Sequence, residues 1–190
     1  INPHKLRKMF VRVIFLKKDL LLWNFGGFVF TSLGGTILHF LYDWTNKSIL
    51  TAPFVAVNES TWEHMKLLFF PLFIFALFQS HFFKDFSNFW CIKLIGILAG
   101  LILIPVLFYT INGIFGKTPD FINIAIFFIA AATVFIIETY LFKNYHCCKS
   151  PYIAFLIICF IGFLFIIFTF LTPHIPLFQD PVTNSYGIKK

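Results

Sequence analysis

Charge is scarce in this sequence. Of its 190 residues only 12% are Asp, Glu, Lys or Arg, where a soluble domain carries roughly 25%. A chain so poor in charge cannot cover a soluble globule of this size. Acids are scarcer than bases: eight Asp and Glu stand against fifteen Lys and Arg, for a net charge of +7. Cysteine is sparse too, with four residues. No CxxC pair and no HExxH run occurs, so no zinc ribbon or zincin can be read from spacing alone. No internal repeat is evident, which removes the matched halves of the usual secondary transporter.

What fills the chain is apolar. Hydrophobic residues make up 59% and aromatics 21%, with thirty Phe, and mean hydropathy is +0.86. Five stretches reach the roughly 20 residues that cross a bilayer: Leu20–Tyr42, Met65–Phe83, Phe89–Ile111, Phe121–Phe142 and Tyr152–Thr172. The expected fold is all-α, a polytopic membrane bundle of about five helices. Three segments are expected: a basic one at 1–19, the bundle at 20–172 and a non-helical tail at 173–190. The tail holds three prolines and a glycine, which stop helices. Met9–Leu16 is apolar but too short to cross; it is either an interfacial piece or part of a basic tail. The basic start lacks a cleavage pattern, so no signal peptide is expected.

Lys and Arg collect on the cytoplasmic side of membrane proteins. With the N-terminus inside, ten of the fifteen fall inside, from Lys5, Arg7, Lys8, Arg12, Lys17 and Lys18 to Lys84, Lys93, Lys143 and Lys149. The expected topology is therefore a cytoplasmic N-terminus and an extracytoplasmic C-terminus. The localisation is the cell membrane, with several passes and the lipid bilayer as partner. Topology accounts for the basic charge, so no nucleic acid is expected. Cys91, Cys147 and Cys148 then lie at cytoplasmic ends and Cys159 inside a span, so no disulfide is expected.

The polar residues concentrate between Gly34 and Lys66. At about 100° per residue, Ser32, His39 and Asp43 share a narrow face of the first helix, flanked by Gly35 and Thr36. Small residues let helices approach closely, so this face points into the bundle. The loop 45–58 contains ILTAPFVAV, too apolar for free solvent. It is expected to dip against the membrane or to pack over the bundle mouth. Ser60-Thr61-Trp62-Glu63 reads as a capping box that starts a helix near Thr61, which gives Glu63 a structural role. Asn123 lies near the outer end of its span. Glu138 lies near the inner end of the same span, where it can reach toward Lys143 or Lys149.

GTILHFLYDW, VNESTWEHMKLLFFP and PHIPLFQDPVTNSYG together resemble a family of small bacterial integral membrane proteins of unknown function. The resemblance covers most of the chain, and the VNESxWEHxK block is its most specific part. It implies interest in His39, Asn58, Glu59, Ser60, Glu63, His64, Lys66, His174 and Asp180, and no activity. Ser32, His39 and Asp43 are also similar in kind to the residues of seven-span intramembrane hydrolases of the alkaline ceramidase type. This chain has fewer spans and lacks the paired His on a late helix.

His and carboxylates at one level of a bundle form the donor set of zinc or another divalent ion. The candidate ligands are His39, Asp43, Glu63, His64 and His174. Glu59 or Asp180 is the candidate general base, and Ser32, Asn58, Ser60 and Lys66 are supporting polar groups. The resulting expectation is an outward-facing site in a metal-dependent membrane hydrolase. The alternatives are a subunit that binds or transports a small solute or lipid, and a non-catalytic partner protein.

Overall fold

The computed structural model describes residues 3–84, 86–116, 119–144 and 148–188, with side chains from Leu20 onward except that of Asp120. Five long helices follow one another: α1 (Pro3–Trp44), α2 (Thr61–Phe82), α3 (Phe89–Phe115), α4 (Asp120–Asn144) and α5 (Pro151–Phe170). A short 3-10 turn, Pro176–Phe178, stands in the tail. Among the described residues the only strand-like pairing is an antiparallel bridge between Gln179 and Tyr186. The fold is all-helical, and five segments are long and apolar enough to cross a membrane: Leu20–Trp44, Thr61–Phe82, Phe89–Phe115, Phe121–Asn144 and Pro151–Phe170.

Helix α1 runs unbroken through the basic start of the chain. No glycine or proline interrupts it between Pro3 and Gly26, so nothing in that stretch separates a tail from the span. The side chains of Lys5 to Lys18 lie outside the described residues, as does Cys147.

The bundle closes where side chains are small. Gly96 and Gly100 on α3 face Glu138 and Val134 on α4; a Cβ on Gly100 would come within 2.5 Å of Val134. This spacing of small residues lets two backbones approach without a hydrophobic drive from lipid. Gly35 on α1 does the same for Phe127 of α4, and its added Cβ would sit 3.0 Å from the Leu67 carbonyl of α2. The core around α2 is largely aromatic: Phe69, Phe70, Phe75, Phe127, Phe135 and Phe165 are all buried.

Among the described residues two lysines are fully buried, and each meets a glutamate. Lys93 Nζ lies 2.6 Å from Glu138 Oε2 and within 5.7 Å of the ring centroids of Phe75, Phe89 and Phe135. The expected reach of Glu138 toward Lys143 or Lys149 is therefore corrected. Gly96 opens the space beside α4 that holds the Glu138 side chain inward, and a partner inside the bundle spares the charge from lipid. Lys66 forms the other pair, with Glu63 at 2.7 Å.

The expectation of no disulfide is also corrected. Cys91, in the first turn of α3, is joined to Cys148, just ahead of α5, with 6.2 Å between their Cα atoms. The sequence separates them by 57 residues, and only the packing of α3 beside the start of α5 brings them together. Cys159 is free.

Candidate metal centre

The site begins with the start of α2. Ser60 caps the helix by accepting from the Glu63 backbone N–H at 3.4 Å. In a full capping box the glutamate reaches back to the cap residue's own N–H. Here Asn58 takes that place, its Oδ1 accepting from the Ser60 N–H at 2.9 Å. Glu63 is drawn inward instead. It accepts from the Val57 N–H at 3.0 Å and pairs with Lys66. Lys66 also donates to the Ala52 carbonyl at 3.0 Å and to Thr169 Oγ1 at 2.8 Å. One buried cation thus ties loop, α2 and α5 together. The apolar loop packs over the bundle mouth through Ala52, Val55, Ala56 and Val57, while Ile49 and Leu50 stay exposed.

With Glu63 turned in, Glu59 and His64 face the other way. His64 Nε2 lies 3.6 Å from Glu59 Oε2. Its Nδ1 lies 3.0 Å from the Ser60 carbonyl. A carbonyl can only accept, so Nδ1 carries a proton, and Nε2 is the nitrogen that faces Glu59. Helix α1 supplies His39, whose ring centroid stands 5.8 Å from that of His64. One donor atom from each of His39, Glu59 and His64 falls within 4.8 Å of the other two. Ligands on a tetrahedral zinc lie roughly 3.3 Å apart at bond lengths of about 2.0–2.1 Å. Holding an ion would draw the three donors closer together.

The other sequence candidates sit elsewhere. Asp43 is exposed one turn beyond His39. Glu63 and Lys66 belong to the buried pair. His174 stacks edge-on against Tyr186 at 4.7 Å. Asp180 is buried and holds the tail's turn, accepting from the Val182 and Thr183 N–H groups and from Thr183 Oγ1 at 2.7 Å. Ser32 is buried with no hydrogen-bond partner for its hydroxyl. Asn58 anchors the tail by donating to the Gly187 carbonyl at 3.0 Å. The three-residue group therefore unites two of the histidines read as ligands with the glutamate read as a base.

The group opens onto a cleft of about 440 Å³, within the roughly 300–1,000 Å³ of small-molecule sites. Its walls come from α1, α2, α3 and α4, with Pro181 and Val182 of the tail at its rim. Asn112 and Asn123 line it. Asn112 carried no signal in the sequence, since it lies on a third helix with no fixed spacing to the histidines. Asn123 was legible only as a polar position near a helix end. Its Oδ1 is buried with no hydrogen-bond partner.

A family model described as "Family of unknown function" matches residues 15–188, from the lower part of α1 through the tail. The chain belongs to this family, DUF6512. The match spans α2 to α5 and all three residues of the group, so the site lies wholly within the matched residues. No curated protein and no solved structure matches the chain.

Proposed function

We propose that this DUF6512 member is a multi-pass protein of the cell membrane, N-terminus inside, that holds a divalent metal through His39, Glu59 and His64. The convergence of those three side chains at one end of a cleft carries the reading. Two further details support it. His39 Nδ1 is buried with no hydrogen-bond partner, an orphan that a ligand would relieve. His64 donates its other nitrogen to a backbone carbonyl, the outer contact that orients a ligating imidazole.

Three protein donors with a fourth position open is the arrangement of a catalytic rather than a structural zinc. Such an ion lowers the pKa of its water to about 7 and polarises a carbonyl or phosphoryl oxygen. The proposed activity is metal-dependent hydrolysis at the cleft. The chain's own residues supply the rest. Ser60 fixes His64, Leu67 and Phe127 exclude water beneath the site, and Asn123 offers an acceptor to a bound molecule. Glu59 acts as a ligand rather than as a base. The ceramidase-type likeness supplies no mechanism, because α5 has no histidine.

Elemental analysis of the purified protein tests the reading. Near-stoichiometric zinc or another divalent ion is expected, with loss of it in His39→Ala and in His64→Ala. Absence of any divalent ion from a protein purified without chelator and then incubated with zinc would sink it. The cleft with its amide lining also favours a second reading, a solute-binding subunit. Ligand-dependent thermal stabilisation without turnover in the metal-loaded protein would select it.

A further inference from the structure

The shape of the cleft says where its ligand comes from. Helices α1 and α4 touch at Gly35 and Phe127, where a Cβ could not be accommodated. One turn further along they bear His39 and Asn123, and the cleft lies there. Its flanks are Phe40 on α1 and Ile124 and Phe128 on α4. These three are 48%, 57% and 38% exposed, and all lie within spanning-length segments. In a membrane, exposure at that level means exposure to lipid. The seam above Gly35 and Phe127 is therefore a gap with apolar jambs, open sideways as well as toward the mouth. Inside it stand His39, His64, Glu59 and the unpartnered Asn123 Oδ1.

We infer that the cleft takes a single-chain amphiphile with an anionic head, which enters sideways from the bilayer between α1 and α4. The substrate class rests on the metal reading above, because an ion held by His39, Glu59 and His64 would attract an anionic oxygen. The lateral path rests on the apolar flanks alone. The chain of the amphiphile lies against Phe40, Ile124 and Phe128. The head meets the metal group, and a hydroxyl or N–H of the head can donate to Asn123. A polar solute arriving from water has no use for three exposed apolar side chains on the membrane side. Lipid without a polar head leaves the buried atoms Asn123 Oδ1 and His39 Nδ1 unanswered, which is costly.

The test uses the full chain in phosphatidylcholine vesicles with tetradecyl phosphate bearing a diazirine on the chain close to the head. Photolysis is expected to label the α4 stretch Ile124–Phe128 and Phe40. Excess unlabelled tetradecyl phosphate is expected to reduce that labelling at least about fivefold, and excess inorganic phosphate to leave it unchanged. Ile124→Trp, which narrows the gap without touching the metal group, is expected to lower the competable labelling by a similar factor with metal content intact. Labelling spread evenly over all lipid-facing helices and not competed would overturn the inference. So would displacement by inorganic phosphate, which would mark a site for a free anion. Metal content measured on the same sample separates the two ideas. Competable labelling without metal retains the lateral path and removes the metal centre; metal without competable labelling does the reverse.

Discussion

Glu63 and Glu59 stand four residues apart and do opposite work. Their roles follow from which nitrogen each can reach. Glu63 sits on the face of α2 that carries Lys66 one turn on, and a buried lysine cannot remain without a counter-charge. Removing the lysine as Lys66→Met leaves the Glu63 carboxylate buried alone and cuts the link to Ala52 and Thr169. A loss of about 3–5 kcal/mol is expected, read as a fall in the unfolding midpoint in detergent. The double change Lys66→Met with Glu63→Leu is expected to recover most of it. Metal content is expected to survive in the double variant, because Glu63 lies outside the three-residue group. At that group, acidification is expected to release the metal. The ligating imidazoles must be neutral, so affinity falls as pH falls, which a zinc-indicator titration across pH would follow.

At the scale of elements, the site depends on how α2 starts and how closely α1 meets α4. The Ser60 cap and the Asn58 contact fix the register at which His64 leaves α2. Ser60→Ala is expected to cost about 1 kcal/mol and to weaken metal binding through the freed start of the helix. Two glycines on α1 make a sharper comparison. Gly26 has open space where a Cβ would go, whereas Gly35 meets Phe127 and the Leu67 carbonyl. Gly26→Ala is expected to be neutral or to stabilise by up to about 1 kcal/mol from helix propensity. Gly35→Ala is expected to destabilise and to lower metal affinity, since His39 is carried on the same helix one turn away. Thermal unfolding and zinc titration of both variants check the contrast.

For the whole molecule, the tail and the far end of the bundle matter most. The tail packs Phe178 against Trp62, with ring centroids 4.6 Å apart, and places Pro181 and Val182 at the rim of the cleft. Cutting the chain after Thr172 is expected to lower the unfolding midpoint and to speed exchange of the bound metal with a soluble chelator. At the far end, charge and thiol chemistry pull in opposite directions. The proposed topology, with the N-terminus inside, would put that end in the cytoplasm, whereas a lasting Cys91–Cys148 bond belongs to an oxidising side. On that topology the bond of the structure is expected to be reversible, open in the reducing cell and closed on mild oxidation. Rapid alkylation of intact cells followed by peptide mapping would show both cysteines modified, and oxidised membranes would show them linked.

Hydropathy alone determined that the chain forms five helices long and apolar enough to cross a membrane, because length and apolar content need no partner to be counted. Local rules also determined the start of α2 at Thr61 and the shared face of Ser32 and His39, since capping and helical period act within a few residues. The same rules misread Glu138, which looked free to reach an end of its own helix, because Lys93 lies on another helix 45 residues away. Only the tertiary structure decided which of the polar groups meet. His39, Glu59 and His64 come from two segments joined by a loop, and whether they converge depends on the rotation of α1 against α2. Close contact at Gly35 sets that rotation, and the buried Lys66 holds the loop above it. The cleft between α1 and α4 was equally illegible, for a gap belongs to neither helix and exists only in how they diverge.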